Sequence, residues 1–215
     1  MRVNIGCGQT PTLGWRNFDN SLSLRLAKIP FAADFLKKIG WIEQAQYEFI
    51  RFASVNNIEY GDATKGLHIK SSSVEVLYSS HMIEHLDRNG AARFLKEAFR
   101  LLQPGGLMRL TIPDIKKQVT QYNINDDADR FMELTHLCSY RPISFSQRLQ
   151  LLIVGPRNHQ WMYDGKSLVR LLQNFGFINA EILPAGKTNI KDYWPLDLHE
   201  RESESVYVEA VKPNV

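Results

Sequence analysis

Gly6-Cys7-Gly8 and, 11 residues past the second glycine, Asp19 are the first residues here whose types and spacing could do chemistry. Without a Cβ, glycine lets the chain turn sharply and lets a ligand approach its backbone. A carboxylate arriving from the next strand can accept hydrogen bonds from the two vicinal hydroxyls of a ribose. The pair therefore reads as a nucleoside-binding corner, against the plainer reading of a strand-to-loop turn with a capping Asp. A second candidate is His81, which ends the run Val74 to Ser80. A neutral imidazole near physiological pH can take a proton from an attacking hydroxyl. A third group is Arg157, His159 and Tyr163: the last two could face an acceptor, and Arg157 could clamp an anionic group on it. The alternative there is structural, with Asp164 capping a helix over 167–174 while Trp161 and Tyr163 pack beneath it.

These residues need strands to place them. Val3 and Ile5 alternate with polar neighbours, and further strands are predicted at Phe18-Asp19, Ile58–Tyr60, Val74–Tyr78, Leu107–Ile112, Phe177–Leu183 and Ser205–Val211. Helical spacing over Ala91–Leu102 stops at Pro104-Gly105-Gly106. Strands alternating with helices predict an α/β fold, whose ligands bind at the carboxyl ends of strands where the strand order reverses. The link from Gly8 to Asp19 is shorter than the dozen or more residues a helical crossover needs. The dinucleotide fingerprint places its acid about 20 residues on, and Pro11 stands where its third glycine would be. The first crossover is thus reduced to a turn, which argues against a nicotinamide-dependent oxidoreductase. No helical pattern lies between Pro184 and Glu204, so the last two strands can pair antiparallel.

Composition sets the bounds. With 215 residues, 44% hydrophobic and 23% charged, the chain fits one globular domain, 1–215. A net charge of +3 gives no argument for nucleic acid, and Lys and Arg are dispersed rather than gathered with aromatics. Cys7 and Cys138 form no disulfide framework and no metal-ligand spacing, so no metal is assigned. No signal peptide and no transmembrane run is read, and the expected compartment is the cytoplasm. Two helical insertions are expected, 21–54 and 115–158. The first carries apolar stripes at Phe31, Phe35, Leu36 and Ile39, after Pro30, and at Trp41, Ala45, Phe49 and Phe52. It reads either as a lid over the pocket or as a layer packed on the sheet. Arg25, Lys28, Lys37, Lys38 and Arg51 could together give weak contact with an anionic membrane surface.

Five motifs occur in order: Asn4-Ile5-Gly6-Cys7-Gly8, Gly14 to Asp19, Gly61-Asp62-Ala63, Ser79 to Leu86, and Leu101 to Gly106. The series resembles the class I S-adenosylmethionine-dependent methyltransferases, over about residues 2–113 and 159–211. The resemblance implies a Rossmann-like three-layer sandwich around a seven-stranded, mostly parallel sheet with an antiparallel last strand. It implies S-adenosyl-L-methionine as cofactor, with Asn4, Gly6, Cys7, Gly8, Asp19, Asp62, Ala63, Ser79 and Ser80 around it. Asp62 would meet the adenine amino group, and Ser79-Ser80-His81 would lie beside the sulfonium. Met82, Ile83 and Leu86 would be apolar walls, while Glu84 and His85 bond locally. The insertion 115–158, with stripes at Phe131, Leu134 and Leu137-Cys138 and at Phe145, Leu149, Leu152 and Ile153, would shape the substrate site or a homodimer contact. The Asn/Asp-Pro-Pro-aromatic sequence of base-amine methylation is absent. Nucleic-acid bases drop down the list, and the resemblance implies a small-molecule or saccharide acceptor, methylated on O or N, the saccharide by family association alone. A non-catalytic cofactor-binding or scaffold protein is the alternative, followed by an RNA methyltransferase.

Overall fold

The computed structural model describes residues 1–29, 31–138 and 158–214. Its strands are β1 (Arg2–Ile5), β2 (Arg16–Asp19), β3 (Ile58–Tyr60), β4 (Val74–Ser80), β5 (Leu102–Pro113), β6 (Ile178–Leu183) and β7 (Ser205–Val211). They form one sheet in the order β3-β2-β1-β4-β5-β7-β6. β1 through β5 pair in parallel, and β7 runs antiparallel to both β5 and β6. The order reverses between β1 and β4, so the crevice for a ligand opens at their carboxyl ends. The helices are α1 (Ser23–Leu26), α2 (Ala32–Lys38), α3 (Gln44–Val55), α4 (Arg88–Leu101), α5 (Ile115–Asn125), α6 (Ala128–Thr135) and α7 (Gly165–Asn174), with a 3-10 turn at Ile83–His85.

One face of the sheet is apolar. Val3, Ile5, Phe18, Leu77, Met108, Leu110 and Val208 join Phe94, Leu95 and Ala98 of α4 and Leu168 and Leu172 of α7 in the main core. Both helices start where the sequence places caps. Asp87 accepts from the Gly90 amide, and Asp164 and Ser167 form a reciprocal capping box. Phe94 is fully buried, so Phe94→Ala would cost about 3–5 kcal/mol through the cavity it leaves.

The other face is built differently. Asn17, Asn4, Tyr78, Arg109 and Glu209 lie in one register row across five strands, and all five are buried. A polar row in a sheet interior needs partners, because an unpaired buried polar group costs free energy. Those partners come from loop backbone, since loops rather than helices cover this part of the sheet. Asn4 Nδ2 donates to the carbonyl of Thr10 and to Thr12 Oγ1, and Asn17 Nδ2 donates to the carbonyls of Thr12 and Trp15. Arg109 Nη1 donates to Glu209 Oε1 and to the Lys187 carbonyl. Ile190, Leu196 and Leu198 of the loop before β7 pack on Trp15, Val76 and Tyr78. The turn between β1 and β2 carries no helix, as its length predicts, and the 184–204 loop occupies the face it leaves uncovered. Helices α1 and α3 cover the same face farther out, where Cys7, Leu24, Ala53 and Ile58 cluster.

Two elements differ from the sequence reading. The Pro104-Gly105-Gly106 stop lies inside β5, where the register against β4 jumps from Val74↔Leu102 to Val76↔Leu107. Gly106 is required there: a Cβ on it would lie 2.8 Å from the Gln103 carbonyl oxygen and 3.0 Å from that of Val74. Helix α5 falls within the expected helical insertion 115–158, but no apolar stripe marks it, because its buried side chain is Gln118. Pro30 and the stripe Phe145, Leu149, Leu152 and Ile153 lie outside the described residues.

Candidate functional site

The glycine turn is held at both ends by β2. The amides of Gly6 and Cys7 both donate to the Phe18 carbonyl, at 2.8 and 3.1 Å. The amide of Gly8 donates to Asp19 Oδ2 at 3.1 Å, while the Ser21 amide donates to Oδ1 at 2.8 Å. Burial holds the Asp19 carboxyl above the usual carboxylate range, and these two amides work against that shift. Gly8 has a positive φ of +50° and nothing within 4 Å of where a Cβ would stand, so its backbone faces open space. Gly6, at φ +73°, does not: a Cβ there would lie 2.5 Å from Met82 Cγ. Cys7 points away into the α1–α3 cluster, and burial pushes its thiol up to about 12.

Asp62 stands after β3 in a self-contained turn. Its Oδ1 accepts from both the amide and the hydroxyl of Thr64, and Oδ2 lies 3.0 Å from Lys65 Nζ. Burial would raise this carboxyl, but those bonds outweigh it and hold it low. Ala63 is buried in the main core. At the tip of β4 the alternation splits the two serines. Ser79, like its pair Leu110, belongs to the helix-covered face, and Ser80, with its pair Thr111, to the face under the 184–204 loop. Among the described residues, the buried hydroxyls of Ser79, Ser80 and Thr111 make no well-aligned hydrogen bond. Ser80 and Thr111 nonetheless approach the Tyr78 phenol, which donates to Glu200 Oε2.

His81 follows in a left-handed conformation (φ +47°), which turns the chain off the sheet. Its Nε2 lies 2.9 Å from Ser205 Oγ, and Nδ1 lies 3.3 Å from Nη1 of Arg201. Because the guanidinium can only donate, Nδ1 is the acceptor and Nε2 carries the proton donated to Ser205. Burial, helped by Arg201, lowers His81 to about 3. Four hydrogen bonds then zip 159–161 onto the neighbouring segments. The His159 amide donates to the His136 carbonyl, the Gln160 and Trp161 amides to that of Glu84, and Gln160 Nε2 to that of His85. The His159 ring consequently stands edge-on to His85, with centroids 4.9 Å apart, and 5.3 Å from His136. Burial and the neighbouring His85 lower His159 to about 4.

His81, Glu84, His85 and His159 are thus brought together at the carboxyl end of β4. Tyr163 is a core residue in an isolated bridge with Asp114; its buried hydroxyl lies near Arg88 but makes no well-aligned hydrogen bond among the described residues. Asp164 caps α7 directly above it. Arg157 lies outside the described residues. The sequence reading did not single out Arg201 or Ser205, which reach His81 from more than 100 residues away. It also expected Glu84 to bond locally. Instead its carboxylate is 1% exposed and accepts no hydrogen bond among the described residues.

A parallel sheet with its order reversing at a glycine turn, an acid on the adjacent strand and an antiparallel final strand define a class I methyltransferase fold. A family model for a methyltransferase domain matches residues 3–110. The chain belongs to that family, and S-adenosylmethionine is its methyl donor. Three solved structures share the fold. A SAM-dependent methyltransferase of Thermotoga maritima is 18% identical, with a TM-score of 0.52 over 98% of this chain and 81% of that one. One from Archaeoglobus fulgidus is 12% identical (TM-score 0.52, 98% and 85%), and one from Methanosarcina mazei is 15% identical (0.50, 98% and 91%). No curated protein matches the sequence.

Proposed function

We propose that the protein transfers a methyl group from S-adenosylmethionine to an oxygen or nitrogen atom of a small-molecule or saccharide acceptor. The observation that carries this reading is the adjacency of two structures at the tips of β1 and β4. One is the Gly6–Gly8 turn closed by Asp19, and the other is the imidazole cluster that begins at His81. Three features of these tips suit the cofactor: the open space over Gly8, the Asp19 carboxylate with lone pairs beyond the two amides it accepts, and the unpartnered hydroxyl of Ser79. In this assignment Asp19 holds the ribose, the Gly8 backbone approaches the cofactor, and Asp62 and Ala63 border the adenine. Ser79 and Ser80 stand beside the reacting end. Asn4, Gly6 and Cys7 act through the turn they position, since their side chains, or the lack of one, fix its path.

Bound S-adenosylmethionine supplies an electrophilic methyl group for in-line displacement, so the protein's work is alignment and electrostatics. In this assignment His81 takes the proton of an attacking hydroxyl through Nδ1 once Arg201 moves aside, although burial and Arg201 leave it a weak base. Ser205 fixes its ring through Nε2, while the exposed side chain of Arg201 and, at 3.6 Å, Glu84 Oε1 face Nδ1. His159 borders the same space, and Tyr163 supports the floor beneath it. Residues 21–54 serve as a cover over the cofactor side, and α5–α6 of the second insertion brings His136 against His159.

A second reading, of contact with an anionic membrane surface, is favoured by α2 and its flanks. Phe31, Phe35, Ile39 and Trp41 are exposed there beside Lys37 and Lys38. No helix among the described residues is long and apolar enough to cross a membrane. Calorimetry with S-adenosylmethionine and S-adenosylhomocysteine, followed by methyl transfer from labelled donor across hydroxyl and amine acceptors, tests the function. Cofactor binding with transfer to a hydroxyl or amine is expected. Absence of heat with either sulfur ligand would refute the cofactor site. Binding without transfer to any acceptor would favour a scaffold role.

A further inference from the structure

With no cation beside it, burial pushes the Glu84 carboxyl up to about 8, which leaves it neutral at pH 7. Its carboxylate is buried at 1% exposure, and among the described residues neither oxygen has a hydrogen-bond partner. The nearest basic nitrogen, His81 Nδ1, is 3.6 Å from Oε1, too far for a hydrogen bond. An isolated buried carboxylate is among the costliest groups a fold can hold, so such groups are paired, neutralised or bound to a metal. Two imidazoles stand beside it. His159 is 7% exposed; its Nδ1 is buried without a partner among the described residues, and the Thr135 backbone approaches its ring. His85 turns Nδ1 to the Asn158 carbonyl at 3.2 Å, which leaves Nε2 free. An imidazole oriented through one nitrogen by a backbone carbonyl is the arrangement metal-ligating histidines adopt.

We propose that Glu84, His85 and His159 bind a divalent transition-metal ion of borderline softness, such as zinc or iron(II), at the carboxyl end of β4. One ligand atom from each residue lies within 4.8 Å of the others. Ligands about 2.0–2.2 Å from one ion span at most about 4 Å, so closure needs side-chain shifts of about 1 Å. The backbone already holds the three in place, because the carbonyls of Glu84 and His85 accept from Gln160 and Trp161 on the segment that carries His159. Two nitrogens and one carboxylate suit such ions rather than magnesium or calcium, which prefer all-oxygen sets. Three protein ligands leave positions open for water or an acceptor oxygen, facing the space beside His81. The sequence reading assigned no metal because it looked for cysteine spacing. These ligands are split between a 3-10 turn and a segment more than 70 residues away.

The test uses the full chain after chelator treatment, titrated with Co²⁺ by visible absorption and with Zn²⁺ by calorimetry. One ion per chain is expected, with the absorption of a nitrogen- and oxygen-ligated cobalt. Glu84→Gln and His159→Gln should each weaken binding at least about 10-fold, since loss of even a supporting group costs 10–100-fold. Glu84→Gln preserves the shape of the neutral acid, so it should fold, and its thermal melt verifies this. If His159→Gln does not fold, Glu84→Gln alone decides. Failure to bind either ion, or binding unchanged in folded Glu84→Gln, would overturn the site. Calorimetry with S-adenosylhomocysteine on the same samples reads the cofactor corner separately. A protein that binds that ligand but no metal refutes this inference alone.

Discussion

The carboxylate of Asp19 accepts a hydrogen bond from the amide of Gly8 at 3.1 Å, joining the end of β2 to the turn that follows β1. The same side chain takes the Ser21 amide on its other oxygen, so one residue ties the turn after β1 to the segment after β2. Asp19→Ala should weaken S-adenosylhomocysteine binding about 10- to 100-fold, the value of one or two hydrogen bonds to a charged group. Asp19→Asn should fall in the same direction, because its NH₂ cannot accept from the second amide. Calorimetric affinities equal to wild type in both variants would remove Asp19 from the ribose.

Much of this corner is legible in the sequence because it is local. Gly6, Gly8 and Asp19 announce themselves by type and spacing, and the seven strands follow from runs of apolar and β-branched residues. The short Gly8–Asp19 link correctly predicts a crossover without a helix. What replaces that helix is not legible. The polar row from Asn17 to Glu209 becomes intelligible only when the sheet order sets five distant strands side by side. The same holds for Glu84, whose burial depends on a segment returning near residue 159. Helix α5 fails for a simpler reason: its buried side chain is Gln118, so no apolar stripe marks it.

Gly6 and Met82 are in contact across the reversal of strand order. An added methyl at Gly6 would meet Met82 Cγ at 2.5 Å, and the φ of +73° is itself unfavourable for alanine. Gly6→Ala should therefore cost about 1–3 kcal/mol in stability and also weaken cofactor binding. Gly6→Ala/Met82→Ala should recover the steric part but not the backbone part. A double-variant melting temperature no higher than that of Gly6→Ala would show that the clash contributes nothing.

The buried pair Arg109–Glu209 should be intolerant of half-removal. Arg109 is fully buried, Nη1 meets Glu209 Oε1 at 2.7 Å, and Thr188 and the Asn189 amide also bond Glu209. Removing one partner leaves a charge without compensation, worth about 3–5 kcal/mol. Arg109→Met alone should be strongly destabilised, and Arg109→Met/Glu209→Gln less so. Denaturant unfolding that ranks the double variant below the single one would contradict this account.

Glu97 gives the fold an acid-sensitive tie. It accepts the Leu67 amide at 2.7 Å and two nitrogens of Arg100. Burial alone would raise this carboxyl, but those bonds outweigh it and hold it below the ordinary 4.5. A carboxylate lowered in the folded state contributes stability in full above its unfolded pKa, and loses it as pH falls through the folded value. At pH 7, Glu97→Gln should be less stable by about 1 kcal/mol, discounted for the partial exposure of Arg100. The gap should shrink below pH 4.5 and close once Glu97 is protonated in both states. A gap constant between pH 7 and pH 3 would show that the charge is not what matters.

The surface of α2 yields the test of membrane contact. Phe31 is 82% exposed and Phe35 61%, a poor arrangement in water unless something apolar meets them. Lys37 and Lys38 end the same helix, so the face is both apolar and cationic. Co-sedimentation should show binding to vesicles rich in anionic lipid, weaker binding to zwitterionic ones, and loss at high salt. Phe31→Ser/Phe35→Ser should reduce binding to anionic vesicles at least about tenfold, since each aromatic ring contributes a kilocalorie or more when buried. The same variant should keep its affinity for S-adenosylhomocysteine if these rings face lipid. If it loses cofactor affinity while vesicle binding is unchanged, the rings belong to a lid over the crevice.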